Sequence, residues 1–320
     1  MYNIIITGAS GLVATELAYN LLRNTDAHLF LLSTHPEKIK ERYMRFIARV
    51  ECFTLESFSA FVVAKNVKFD CCFHTAFARS AEGHLIVESI TYQRKFLEIL
   101  KDLDLDVFVN ISSQSVYGKT SIPLWKENTS LDPDNLYAMG KYFSEVVTKD
   151  MLDGTGIRWT NLRLCSVCEN ARFVRIFLQN VIEGKPIVLT SPDQQCSFIE
   201  IQDVADALVA FVCQIGKIEL KPVYNLGANI VDTIEGVACK VKNIAEECYG
   251  MKNVQIVKMS SDNHIHIGMD ASLFMETFGW RPRRSMRDML TEMFEMLMNG
   301  DNRLIPISFK IVYGYEFAAY

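Results

Sequence analysis

The stretch Ile4-Ile5-Ile6-Thr7-Gly8-Ala9-Ser10-Gly11-Leu12-Val13-Ala14 decides the fold. Its three consecutive isoleucines predict a short strand of a parallel sheet, because β-branched side chains suit a strand that is buried on both faces. The residues Val13, Leu17 and Leu21 then follow at the spacing of one helical face. A strand, a glycine turn and a helix in this order predict a unit that binds the phosphates of a dinucleotide.

The turn contains glycines because a larger side chain would prevent the sharp turn or the approach of the phosphates. Gly8 allows a sharp turn, and Gly11 lets the backbone approach a pyrophosphate that a Cβ atom would exclude. Ala14 keeps the helix close to the strand, and the free N–H groups at the start of the helix attract phosphate. We therefore expect the dinucleotide cofactor to contact the residues of the turn: Gly8, Ala9, Ser10, Gly11 and Leu12.

Composition and charge narrow the class of protein. The chain has 320 residues, of which 49% are hydrophobic and 22% are charged, as is typical of a soluble globular protein. The net charge of -5 gives no reason to expect nucleic acid or an anionic membrane as a partner. No basic region precedes the first strand, and no apolar run reaches the roughly 18 residues of a membrane helix. We therefore expect a cytoplasmic protein that has no membrane partner.

The cysteines and histidines do not predict a metal site. Nine cysteines, an odd number, fit reduced thiols better than a disulfide framework. Cys165 and Cys168 form a C-x-x-C, but on an extended segment their side chains point to opposite faces. His264 and His266 form an H-x-H with no third ligand near in sequence, so a surface loop is the simpler interpretation. We expect no bound metal.

Strands and helices alternate along the chain. A second strand is predicted at 28–32, another at 70–76 and a further one at 107–111, with helical patterns between them. Strands that alternate with helices indicate an α/β fold in which the sheet is parallel, doubly wound and of the Rossmann type.

The end of the second strand bears on which dinucleotide binds. An NAD-binding fingerprint usually has an acidic residue there that binds the ribose hydroxyls. This chain has Ser33 and Thr34 instead, and Lys38 and Lys40 follow shortly. The lysines favour a 2′-phosphate, so we expect NAD or NADP as cofactor and Ser33 and Thr34 as contacts of its ribose.

Three further polar residues follow the strand at 107–111. Ser113 comes just beyond its end, at the sheet edge where doubly wound folds bind ligands. Tyr137 and Lys141 are four residues apart in a helical pattern, so they share a face. A lysine ammonium group and a nicotinamide cation beside a phenol both lower its pKa, which suits Tyr137 to act as a general acid and base.

Together, these features resemble the extended short-chain dehydrogenase/reductase family, and within it the NAD-dependent epimerase/dehydratase group that acts on nucleotide sugars. His74-Thr75-Ala76 resembles the family's His-x-Ala strand end, and residues 112–118 resemble its Ser-Ser-x-x-Val-Tyr-Gly motif. The resemblance extends over almost the whole chain, and its later landmarks are 161–163, 197–205, 223–227 and 278–282.

The resemblance implies a role for each matched residue. Tyr137 is expected to be the catalytic acid and base, and Lys141 to hold the nicotinamide ribose. Ser113 is expected to form a hydrogen bond with the reacting sugar oxygen, and Thr75 and Ala76 to contact the cofactor. The resemblance also implies a cofactor domain, 1–164 plus about 198–226, and a smaller substrate-binding domain, about 165–197 and 227–320.

The chain departs from the family pattern at several positions. Dehydratases of the family have an Asp-Glu pair where this chain has Gln114 and Ser115, so we do not expect a 4,6-dehydratase. Two arginines that bind the substrate's diphosphate in epimerases are replaced by Cys196 and, approximately, by residues 260–263. We expect other residues to bind the substrate: Arg79, Ser113, Ser166, Arg172, Arg175 and Lys258.

We therefore predict an NAD(P)-dependent nucleotide-sugar 4-epimerase of polysaccharide biosynthesis, in which hydride passes to and from the cofactor. A ketoreductase of a nucleotide sugar or a small carbonyl compound is the alternative enzyme. A dinucleotide-sensing or scaffold protein is the alternative outside enzymes, and an intact set of Ser113, Tyr137 and Lys141 argues against it. The apolar tail 311–317 is expected to pack on its own domain or on a second subunit, which leaves a homodimer open.

Overall fold

The computed structural model describes residues 2–80, 82–118, 124–259 and 267–300. The predictions for residues 260–263, for His264 and His266, and for the tail 311–317 fall outside these residues.

The described residues form strands and helices that alternate through most of the chain. The strands are β1 (Asn3–Thr7), β2 (His28–Leu32), β3 (Val50–Phe53), β4 (Phe69–His74), β5 (Leu105–Ser113), β6 (Arg158–Leu164), β7 (Ser166–Val167), β8 (Ile187–Leu189), β9 (Gln195–Ile199), β10 (Val223–Leu226), β11 (Val231–Thr233) and β12 (Ile256–Lys258). The helices are α1 (Leu12–Asn24), α2 (Pro36–Arg42), α3 (Leu55–Ala64), α4 (Gly83–Leu100), α5 (Leu136–Leu152), α6 (Arg172–Ile182), α7 (Ile201–Gln214), α8 (Ile234–Tyr249), α9 (Ser272–Phe278) and α10 (Met286–Met298).

A seven-stranded sheet forms the centre of the fold. Its strands lie in the order β10-β6-β5-β4-β1-β2-β3, and each adjacent pair is parallel. The order runs outward from β1 in both directions, as in a doubly wound sheet. The predicted fold class is confirmed.

Both faces of this sheet are covered, which explains the run of isoleucines in β1. Ile4 and Ile6 belong to a core that includes α1 and α7. Ile5 points the other way, into a core formed with α3, α4 and α5. Alternate residues of a strand face opposite sides of the sheet, so a strand buried on both sides requires apolar residues throughout.

A third core lies in the part of the chain predicted to bind the substrate. It is built mainly from α6, α8 and α10, which contribute Leu178, Ile244 and Leu290. The short strands β8 and β12 pair in parallel beside these helices, and β9 pairs with β7 and β11. In contrast, α9 and Trp280 pack in the core that contains α7. The proposed division into two domains stays a prediction.

The parallel strands place the predicted site residues at one edge of the sheet. Thr7, at the end of β1, pairs with His74 at the end of β4, and Ser113 at the end of β5 pairs with Leu164 of β6. The glycine turn, the Thr75–Ala76 segment and Ser113 therefore all lie at the carboxyl ends of parallel strands, and β5 extends to Ser113 itself, two residues beyond the predicted end of that strand. Within the described ranges, no helix is long and apolar enough to cross a membrane.

Candidate active site

The glycine turn between β1 and α1 has the geometry that a phosphate requires. Gly8 adopts a φ of +65°, and a Cβ atom there would lie 2.8 Å from backbone atoms of Ala76. Gly11 is the N-cap of α1, so no side chain caps the first N–H groups of this helix. These N–H groups and the helix dipole can therefore act on an anion. Gly8 is required for the turn and also for the close approach of the residues after β4.

Hydrogen bonds join the ends of β1 and β4 beneath this turn. Thr75 Oγ1 donates to the Thr7 carbonyl oxygen at 2.7 Å, and the Ala76 N–H donates to Thr7 Oγ1 at 3.4 Å. The Thr7 hydroxyl lies 2.9 Å from His74 Nδ1. Burial, together with the charge of Lys141, lowers the pKa of His74 to about 3. His74 is therefore a neutral structural residue that holds Thr75 and Ala76 beside the turn.

The residues after β2 lie beside the same turn. The Ala9 N–H donates to the Leu32 carbonyl oxygen at 3.0 Å, which fixes the end of β2 against the glycine turn. Ser33 is half-buried there, and its Oγ accepts a hydrogen bond from the His35 N–H at 3.1 Å. Thr34 is exposed. Both hydroxyl groups thus stand where the sequence predicts ribose contacts, and their role stays a prediction.

Ser113 and Tyr137 come together at the centre of the site. Ser113 Oγ accepts hydrogen bonds from the Ser115 backbone N–H at 3.2 Å and from the Ser115 hydroxyl at 3.0 Å. Tyr137 lies in the first turn of α5, where Asn135 caps the helix by accepting from the Ala138 N–H at 2.9 Å. Burial raises the pKa of Tyr137, while the charge of Arg79 and a hydrogen bond with Ser113 act in the opposite direction.

Lys141 is one helical turn beyond Tyr137, as the spacing predicts. Its ammonium group, however, contacts the end of β5 and an aromatic ring. Nζ donates to the Ile111 carbonyl oxygen at 2.7 Å and lies 4.2 Å from the centre of the Phe77 ring. Burial lowers the pKa of Lys141 to about 7, and the charge of Glu145 opposes this. Burial outweighs the charges nearby, so the pKa of Tyr137 is raised, and its lowering beside a nicotinamide cation stays a prediction. The cation that acts on Tyr137 here is Arg79.

Two of the predicted substrate contacts lie next to this centre. Arg79 Nη2 donates to the Asn170 carbonyl oxygen at 3.3 Å, so its guanidinium group spans from the β4 side to the segment after β7. Ser166 is exposed, and its Oγ accepts a hydrogen bond from Gln114 Nε2 at 2.8 Å. The structure therefore brings together Tyr137, Ser113, Arg79 and Ser166, the last through Gln114.

The remaining predicted cations lie farther along the chain, in the segments around the third core. Lys258 ends β12, and its Nζ forms an ion pair of 2.5 Å with Glu235. Arg172 and Arg175 begin α6, the first exposed and the second half-buried. The roles of these three residues stay predictions.

Sequence reasoning missed one cation, Lys240. Cys196, which stands where the family has a diphosphate-binding arginine, pairs with Asp232 across β9 and β11. Lys240 Nζ lies 2.6 Å from Asp232 Oδ2, and its charge acts on the Cys196 thiol. A lysine of α8 therefore lies near position 196, and its charge is paired with that of Asp232. No local pattern in the sequence marks it, because the contact depends on the register between β9 and β11.

A buried polar network lies beneath the elements that carry Tyr137 and Ser113. Glu145 on α5 forms an ion pair of 2.8 Å with Arg163 on β6, and Glu145 Oε1 accepts from Ser112 Oγ at 2.5 Å. Arg163 also donates to the Tyr117 hydroxyl at 3.1 Å, which in turn donates to Asn225 Oδ1 at 2.6 Å. This network joins α5 and the segment after β5 to the strands β6 and β10. It therefore fixes the elements that carry Tyr137 and Ser113.

A buried pair of acids, also missed from the sequence, lies behind the segment after β7. Glu169 Oε1 accepts from the Ile201 N–H at 3.2 Å, and the buried carboxyl group of Glu169 also shares a hydrogen bond with Glu200. Glu200 caps α7 and forms an ion pair of 3.1 Å with Arg284. Burial, with a contribution from Glu200, raises the pKa of Glu169 to about 8. Burial therefore favours the neutral form of Glu169.

No metal centre is found among the described residues. None of the His, Cys, Asp and Glu side chains in these ranges form a group of three or more that could hold an ion. Cys165 and Cys168 belong to different cores, as their predicted orientation requires, and burial raises the pKa of both thiols.

Comparisons with known proteins agree with this geometry. The model of the NAD dependent epimerase/dehydratase family matches residues 4–227. UDP-glucuronate 4-epimerase 5 of Arabidopsis thaliana is 27% identical over 214 residues, which are 60% of this chain and 49% of the relative, so the chain spans about half the length of that curated relative.

Solved structures share the fold over nearly the whole chain. The structure of UDP-glucuronic acid 4-epimerase from Bacillus cereus with UDP-glucuronic acid and NAD has 20% identity and a TM-score of 0.74, covering 93% of this chain and 99% of that one. The structure of dTDP-glucose 4,6-dehydratase from Bacillus anthracis with NAD has 16% identity and a TM-score of 0.76, covering 96% of this chain and 100% of that one.

Proposed function

The chain belongs to the NAD dependent epimerase/dehydratase family, and from this we propose that it is an NAD-dependent nucleotide-sugar 4-epimerase. The observation that carries the proposal is the meeting of Ser113 and Tyr137 at the carboxyl edge of the sheet, next to the glycine turn. The relatives named above include two 4-epimerases of UDP-glucuronate, which supports a UDP-sugar as substrate.

The residues of the turn fit NAD. Gly8 and Gly11 leave space for the pyrophosphate, and the uncapped N–H groups of α1 face it. Ser33 and Thr34 would contact the adenine-side ribose, and Lys141 the nicotinamide-side ribose. NAD in the neighbouring structures supports the same cofactor here, and the preference for a 2′-phosphate suggested by Lys38 and Lys40 stays a prediction.

The side chains of the site supply the proton transfer and the positioning. Bound NAD would supply reversible hydride transfer at the sugar carbon, and epimerisation requires that the hydride return to the opposite face of that carbon. Tyr137 takes the hydroxyl proton as the hydride leaves and gives it back as the hydride returns. Ser113 holds the same oxygen, and Arg79 favours the ionised phenol that must be present before the proton is taken from the sugar.

A 4,6-dehydratase is not the function that this site supports. Loss of water from the sugar needs an acid and a base next to the catalytic hydroxyl, and Gln114 and Ser115 cannot ionise near neutral pH. Gln114 is also held by Ser166, as described above.

Assay of the purified protein tests the proposal. We expect the denatured protein to release stoichiometric NAD, and the native protein to interconvert a UDP-sugar with its 4-epimer, with UDP-glucuronic acid as the first substrate to try. Tyr137→Phe should lose about 10²- to 10⁴-fold in turnover, because it removes only the hydroxyl group that transfers the proton, while NAD content and melting temperature stay unchanged. Consumption of NADPH with a carbonyl compound, and no epimerisation, would favour the ketoreductase.

A further inference from the structure

Gln114 is a buried amide that contacts a predicted substrate residue. It follows Ser113 directly, its side chain is only 8% exposed, and its Nε2 donates to Ser166 Oγ at 2.8 Å. Its Oε1 is buried and has no hydrogen-bond partner among the described residues. Ser166 is exposed at the start of β7. The amide therefore connects the catalytic end of β5 to the hydroxyl group of an exposed serine.

The orientation of this amide decides the polarity of the Ser166 hydroxyl. A serine hydroxyl has one proton to donate and lone pairs to accept with. Because Gln114 Nε2 occupies a lone pair of Ser166 Oγ, the Ser166 proton remains available to an acceptor in the cleft. In the observed orientation one N–H of Nε2 is bonded to Ser166, whereas the reverse orientation would leave both N–H groups of Nε2 without an acceptor among the described residues.

We propose that Gln114 is a positioning residue that makes Ser166 a hydrogen-bond donor to an anionic oxygen of the substrate. The inference rests on the proposed function, since a nucleotide sugar brings a diphosphate into the cleft. A phosphate oxygen accepts hydrogen bonds and cannot donate one when it is ionised. A hydroxyl whose proton pointed to Gln114 would instead turn its lone pairs toward that charge.

The substitution Gln114→Glu reverses the polarity with little change of shape. Above its pKa, the introduced carboxylate accepts the Ser166 proton, so Ser166 no longer donates to the substrate. Below its pKa, the protonated carboxyl group can donate to Ser166 Oγ and restore the original arrangement. We expect the dissociation constant of UDP, measured by calorimetry, to rise about tenfold or more at pH 8 and to return toward the wild-type value near pH 5. The wild type measured at both pH values is the reference.

A double-mutant cycle separates this effect from simple charge repulsion. Ser166→Ala removes the donor, so the loss caused by Gln114→Glu should be much smaller in that background than in the wild type. Gln114→Met keeps the volume without hydrogen bonding, and its loss should be the same at pH 5 and pH 8. Equal losses from Gln114→Glu with and without Ser166 would overturn the inference, as would wild-type affinity of Gln114→Glu at pH 8.

Three ligands identify the acceptor and keep the two proposals distinct. A loss already seen with UDP assigns the acceptor to the diphosphate, and a loss seen with UDP-glucuronic acid but not with UDP or UDP-glucose assigns it to the sugar carboxylate. Normal epimerase activity together with an unaffected Gln114→Glu variant overturns the role of Gln114 and leaves the proposed function intact. Absence of UDP and UDP-sugar binding by the wild type overturns both.

Discussion

The Tyr137 side chain shows how burial and charge compete at a single residue. A buried phenol resists ionisation, and here the opposing cation is Arg79, which approaches from the loop after β4 and not from α5. The Y-x-x-x-K spacing indicates correctly that Tyr137 and Lys141 share a helix. It does not reveal that Lys141 Nζ contacts the Ile111 carbonyl oxygen and the Phe77 ring.

The substitution Arg79→Gln should shift the pH dependence of the reaction. Arg79 lowers the pKa of Tyr137, so its removal should raise that pKa and move the rising limb of the pH–rate profile to higher pH. The profile of kcat is the measurement, because it reports the substrate complex. Arg79→Lys keeps the charge and should leave the limb near its wild-type position. An unchanged limb in both variants would show that Arg79 does not act on Tyr137.

Glu169 should make the folded state less stable as the pH rises. Its pKa in the folded protein is about 8, above the value near 4.5 of an unfolded chain. Its contribution to stability is therefore fully present below pH 4.5 and is lost as the pH rises through about 8. Glu169→Gln keeps an acceptor for the Ile201 N–H and removes this proton linkage. Urea unfolding at pH 5.5 and 7.5 should show a smaller pH-dependent loss of unfolding free energy in the variant than in the wild type.

The site residues lie on the connections between strands and helices. Among these connections, the turn from β1 to α1 has the strictest steric requirements. Gly8 has both a positive φ and a close approach to Ala76, and Gly154, in the turn before β6, has a φ of +79° with nothing within 4 Å of a Cβ position. Substituting each of these two glycines therefore separates the free-energy cost of a positive φ from the cost of the close approach to Ala76.

We expect Gly154→Ala to reduce the unfolding free energy by about 1–2 kcal/mol, the cost of a left-handed conformation for a residue with a Cβ atom. Gly8→Ala should cost more, because the Ala76 backbone must also move, and it should weaken NAD binding, which Gly154→Ala should leave unchanged. Urea unfolding and NAD titration measure the two effects. Equal losses of stability, with NAD binding intact in both variants, would show that the close approach is unimportant.

Short-range sequence patterns predict the strands and helices of this protein better than they predict its long-range side-chain contacts. The isoleucines of β1 and the strands near 28–32 and 107–111 are visible because burial on both faces requires continuous apolar residues. In contrast, the approach of Gln114 to Ser166 joins residues 52 positions apart. The position of Lys240 near Cys196 likewise depends on how β9 and β11 pair. Such contacts are set by tertiary structure, which short-range spacing does not encode.

At the scale of the whole molecule, an apolar surface among the described residues bears on the oligomeric state. The outer face of α5 presents the apolar side chains Leu136, Met139, Tyr142, Phe143 and Val146, each between 41% and 52% exposed. A contiguous exposed apolar face of this kind is unusual on a monomer. This face therefore supports the prediction of a homodimer, which the sequence of the tail 311–317 left open.

Sedimentation velocity of the full chain tests this prediction. We expect a dimer for the wild type and a monomer for Phe143→Glu, because a carboxylate in an apolar contact is costly. Glu88→Gln, on the exposed part of α4, is a control that should not change the mass. A monomeric wild type at micromolar concentration would contradict the prediction.

The order of elements along the chain also constrains how the protein is made. The helix α7 covers the Ile4 and Ile6 face of the sheet together with α1, yet it follows the segment that contributes α6 to the third core. A nascent chain that ends at residue 164 contains six of the seven central strands but lacks both α7 and the edge strand β10. Apolar surface on that face therefore stays exposed on the ribosome until residue 214 has emerged, which is the period in which a chaperone could bind it.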